Sequence, residues 1–86
     1  MTRKKPFNRT IIGGNIGEAV EQLQKLEKKA LDGTLHEAEL QVGLAHAYHH
    51  LNFAWNIRRV PTSEYAHMTQ EQFDRWAKYP KEINDF

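Results

Sequence analysis

The sequence predicts an all-α fold, and three observations carry that prediction. Asn15-Ile-Gly-Glu18, Thr34-Leu-His-Glu37 and Thr69-Gln-Glu-Gln72 each match the capping-box pattern. In that pattern the first side chain caps an orphan amide and the fourth reaches back to the cap's own N–H. Helix stops follow at fitting distances: Gly33 as a left-handed C-terminal residue, then Pro61 and Pro80, which cannot continue a helix. No stretch alternates apolar and polar residues as a half-buried strand does.

Helix 1 is expected over about 16–31. Its narrow apolar seam is Ile16, Ala19, Val20, Leu23, Leu26 and Ala30. The rest of its surface is Glu, Gln and Lys, with Glu21 and Lys25 an i,i+4 pair. The connection Asp32-Gly33-Thr34 is short enough to impose an antiparallel helical hairpin. Helix 2, expected over about 35–59, carries two apolar arcs. Leu40, Leu44, Ala47, Tyr48, Leu51, Ala54 and Trp55 form one, and Glu39, Val42, Gly43, His46, His49, His50, Phe53 and Ile57 the other. Gln41, Asn52, Asn56 and Arg59 are left for solvent.

A helix with two faces to cover lies centrally. Helix 1 covers one arc, with Leu51 and Trp55 expected in the core. Thr62–His67 adds a turn of helix, and helix 3, about 70–79, offers a short stripe of Phe73, Trp76 and Ala77 against the second arc. So small a core has little margin. The fold class expected is an all-α antiparallel hairpin plus a short C-terminal helix, completed as a bundle by homodimerisation. Residues 15–86 form a single helical domain. Residues 1–14 read as a basic, partly flexible arm.

Composition narrows the function classes. The chain has 86 residues, no cysteine and a net charge of +1. That leaves room for one domain and excludes disulfides, thiolate nucleophiles and Cys-based metal sites. Charge is uneven: Arg3, Lys4, Lys5 and Arg9 make residues 1–14 +4, so the remainder is −3. Such an arm suits nucleic acid or another anionic partner, with a solvated tail as the plain alternative. No helix presents the row of Lys or Arg a recognition helix uses, which weighs against nucleic acid. No apolar run of the roughly 20 residues a membrane span needs is present, and no apolar signal segment follows the basic start. A cytoplasmic location without membrane contact is the expectation.

The chemical feature is His46-Ala-Tyr-His49-His50. His46 and His50 have the i,i+4 spacing by which a helix offers two imidazoles to one divalent ion such as zinc. Further ligands would have to come from His67, a helix 1 carboxylate or a dimer mate, and packed histidines without metal are the commoner outcome. Ile12-Gly13-Gly14-Asn15-Ile16-Gly17 has neither dinucleotide-binding nor Walker spacing and reads as a turn into a capped helix. Ser63 is the lone serine and stands in no nucleophile elbow. No catalytic residues and no resident cofactor are assigned, and enzymatic activity is not expected. The preferred reading is an interaction or assembly module. Its contact is the second arc of helix 2, namely His46, His49, His50, Phe53 and Ile57, meeting a second copy or an unknown protein partner. A metal-binding bundle through His46 and His50, and a nucleic-acid accessory protein using the arm, are the alternatives.

Overall fold

The computed structural model describes residues 5–85, and every regular element among them is helical. α1 is Arg9–Asp32, α2 Glu37–Asn56, α3 Thr62–Ala66 and α4 Gln70–Trp76, with a closing 3-10 turn, Lys81–Asp85. α1 and α2 form the expected antiparallel hairpin. Gly33 ends α1 with φ +79°, and its N–H and that of Thr34 both return to the Lys29 carbonyl. Gly43 sits so close to α1 that an added Cβ would lie 2.7 Å from Leu26 Cδ2, so the Leu26 side chain fills the notch.

α1 begins seven residues earlier than expected, and residues 9–14 of the anticipated arm are its first turns. Asn8, not Asn15, is the N-cap: its side-chain oxygen accepts from the Ile11 N–H at 3.3 Å. The Asn8 amide donates to the Val60 carbonyl (2.8 Å) and Thr62 Oγ1 (3.1 Å), and its backbone N–H to the Arg58 carbonyl (2.7 Å). Ile11, one turn on, is buried against Phe53, Ile57 and Trp76. Cap and burial together outweigh the ~1 kcal/mol by which each interior glycine disfavours a helix, so α1 runs through Gly13, Gly14 and Gly17.

α2 starts two residues later than its sequence signal. Thr34 is occupied with the Asp32 carboxylate, His36 is the N-cap, and Glu39 accepts from the His36 N–H at 3.3 Å. The helix ends at Asn56, after which tight turns carry the chain to Pro61. α3 occupies the anticipated helical turn. α4 starts on the expected box, Thr69 Oγ1 accepting from Gln72 N–H (3.1 Å) and Gln72 Oε1 from Thr69 N–H (2.9 Å).

The core lies at the open end of the hairpin. Ile11, Phe53, Ile57 and Trp76 are its buried centre, and Tyr65 of α3, Met68 between α3 and α4, and Ala77 at the end of α4 pack on it. Towards Gly33 the molecule is only two helices thick. Its radius of gyration is 15.1 Å, against the ~12 Å of a compact domain this long. Six buried hydrophobics face twelve large ones at 37% exposure or more among the described residues.

Candidate functional site

α2 and α1 bring His46, His50 and Asn15 into one polar chain. Asn15, expected to cap, lies inside α1 and is 4% exposed. Its amide nitrogen donates to the Ile11 carbonyl (3.1 Å) and Tyr65 Oη (3.4 Å), so its oxygen faces His50 Nδ1 at 2.8 Å. That oxygen accepts only, so His50 carries its proton on Nδ1 and presents an Nε2 lone pair. His46 Nε2 stands 3.0 Å from it. Partial burial lowers the His50 pKa, the charge of His46 adds to that, and Glu18 opposes it.

His49 belongs to another environment. Its ring lies 4.3 Å from that of Phe53 and 4.8 Å from that of Phe73. Burial there depresses its pKa first, with His50 and His46 adding repulsion. His67, considered above as a further metal ligand, is turned onto its own segment, Nδ1 donating to the Ser63 carbonyl at 2.9 Å. Among the described residues no third histidine or carboxylate joins His46 and His50 in a metal-holding group.

The expected contact surface requires correction. Phe53 and Ile57 are 2% and 0% exposed, covered within their own chain by Ile11, Trp76 and the α3–α4 segment. They have no surface left to offer a partner. The physical reason is the direction in which the chain leaves α2: α3 and α4 fold back over the second arc. The first arc, expected to be core, is buried only at Ala47 (2% exposed); Leu44, Ala54 and Trp55 are half-buried and the rest lies open. Leu40, Tyr48 and Leu51 are 37%, 61% and 44% exposed, and Ile16, Val20 and Leu23 of α1 are 45%, 45% and 41%. Leu51 joins two hollows into one strip, with Leu23, Leu44 and Tyr48 on one side of it and Ile12, Ile16 and Trp55 on the other. Phe7 and Ile83 extend the strip at the open end.

Several roles left no obvious mark in the sequence. Asn52 and Asn56, read as solvent positions, hold the end of α4: Asn52 donates to the Ala77 carbonyl (2.7 Å), and Asn56 to those of Trp76 (2.7 Å) and Lys78 (2.9 Å). Their i,i+4 spacing was the available signal. Trp55 is half-buried, donating to Glu82 at 3.0 Å with the Arg58 guanidinium 4.0 Å over its ring.

Of the basic residues weighed for nucleic acid, Arg3 and Lys4 lie outside the described residues. Lys5 and Arg9 line an open hollow with Arg59, whose guanidinium sits 4.4 Å over the Phe7 ring. No helix among the described residues is long and apolar enough to cross a membrane. Compared with known proteins, the chain matches no protein family, no curated protein and no solved structure.

Proposed function

We propose that the protein is an assembly module that pairs with a second copy of itself through the apolar strip of α1 and α2. The observation that carries this reading is the strip itself. Leu40, Tyr48, Leu51, Ile16, Val20 and Leu23 are each 37–61% exposed along one strip, and large contiguous apolar patches of this kind mark interaction sites. Burying this one converts a thin two-helix blade into a four-helix layer, which supplies the core that the turn end of the hairpin lacks.

Charge at the two ends of the strip supports a second copy as the occupant and gives its direction. At ~100° per residue, Glu37 falls on the strip side of α2 at the turn end, and Arg58, in the turn beyond α2, lines the strip at the open end. Glu27 and Arg9 fall on the strip side of α1 at the same respective ends. A two-fold axis crossing the middle of the strip sets Glu27 and Glu37 of one copy towards Arg9 and Arg58 of the other, with Glu82 beside Arg58 offsetting part of the basic charge.

Sedimentation velocity across a concentration series tests this. The wild-type chain is expected to sediment as a concentration-dependent dimer. Tyr48→Glu with Leu51→Glu is expected to sediment as a monomer with unchanged helical circular dichroism, since both side chains are exposed. A wild-type protein that stays monomeric at 100-fold the concentration of a typical assay refutes the reading.

A further inference from the structure

We infer that His46 and His50 form a two-imidazole site for a late first-row divalent metal ion, with Asn15 as its positioning residue. The inference does not rest on assembly, because the pair lies on the flank opposite the strip: at ~100° per residue, His46 and Leu44 of α2 are about 160° apart.

The geometry is that of a preset pair. The two Nε2 atoms are 3.0 Å apart. Nitrogens bound ~2.05 Å from one ion are about 2.9 Å apart in the cis positions of a square-planar or octahedral site, and about 3.4 Å apart in a tetrahedral one. Ni(II) or Cu(II) therefore fits with almost no movement, and Zn(II) with a few tenths of an ångström.

The tautomer is set as well. Histidine ligands normally donate their second ring N–H to an oxygen that fixes their orientation. His50 Nδ1 does so to Asn15 at 2.8 Å, and Asn15 is in turn held by the Ile11 carbonyl and Tyr65 Oη. Without metal, His46 Nε2–H donates to the His50 lone pair. Metal takes that place when the exposed His46 carries its ring proton on Nδ1 instead of Nε2, an exchange that solvent can carry. Water completes the coordination sphere. Glu18 lines the same hollow as Asn15 and His50, and its negative charge favours a cation there.

The test is calorimetric titration of untagged full-length protein with nickel chloride in a non-coordinating buffer at pH 7.5, paired with electron paramagnetic resonance of the copper-loaded protein. One ion per chain and a two-nitrogen copper signal are expected. His46→Ala and His50→Gln should each weaken nickel by roughly tenfold or more while circular dichroism stays unchanged. His49→Gln and His67→Gln should leave affinity as it was. Because His46 is exposed, its removal keeps the fold available for the comparison. The proposal is overturned by the absence of binding up to about 1 mM nickel, or by binding that survives His46→Ala unchanged.

Discussion

Phe53 and Leu51 are two residues apart on α2 and have opposite surroundings. Phe53 is 2% exposed, with the ring of Phe73 5.4 Å away and that of Tyr65 6.2 Å away. Leu51 is 44% exposed in an open groove. The two flanks of the hairpin carry comparable apolar content, yet the sixteen residues from Pro61 to Trp76 can cover only one of them. Covering follows from the turn at Ile57–Val60, which carries α3 and α4 over the histidine flank and holds α4 there through Asn52 and Asn56. Hydrophobicity says that a face needs covering; chain connectivity says which face its own chain covers.

The largest effect that would break this contrast is on the covered flank. Phe53→Ala removes a ring from the centre of the core and should cost ~3–5 kcal/mol by urea unfolding. Tyr48→Ala on the open flank should change a dilute monomer by no more than ~0.5 kcal/mol. Equal costs at the two positions would mean that both flanks are covered in solution, and a concentration-dependent cost at Tyr48 alone would assign that covering to the second copy.

Acid should act on the covered flank alone, and more weakly. The folded pKa values of His49 and His50 are lowered, chiefly by burial. The unfolded chain therefore takes up protons first, so stability is full above the ordinary imidazole value of ~6.5 and is lost as pH falls towards the lowered folded values. With chelator present and the pH kept at 5.5 or above, Glu39 and Glu82, whose pKa values are lowered, stay ionised. The urea midpoint should then fall between pH 7.5 and 5.5. His49→Gln should flatten that slope, and an unchanged slope would place the effect elsewhere.

The smallest effect concerns the glycine turns of α1. A Cβ at Gly17 meets nothing within 4 Å, so Gly17→Ala should stabilise by up to ~1 kcal/mol, or about 4–8 °C in Tm for a domain this size. If the gain in Tm comes with loss of dimer, the interface reaches Gly17 as well.

The local signals in the sequence translated well. The third capping box, the Gly33 stop and the hairpin are where their residue types put them, because each depends on a few neighbours along the chain. Non-local choices did not translate. Asn15-Ile-Gly-Glu18 has the letters of a cap, but Asn8 has partners at Val60 and Thr62, more than fifty residues away, and Ile11 has a core to enter. The His46–His50 pair was visible as a spacing. Its orienting oxygen on Asn15 was not, because it comes from another helix. The choice between the arcs of α2 was equally hidden, since it depends on the exit path of the chain.

The Asn8 clasp also bears on the order in which the molecule folds. It joins residues 52 positions apart, a separation that in a loose chain would carry a heavy loop-closure entropy. Here the hairpin forms first from contacts around a tight turn, and its two arms then deliver Asn8 to Val60 ready aligned. A clasp that closes this late acts as a latch, so Asn8→Ala is expected to speed unfolding while leaving the folding rate nearly untouched. The amides of the first turns of α1 are accordingly the ones whose hydrogen exchange reports how often that latch lifts.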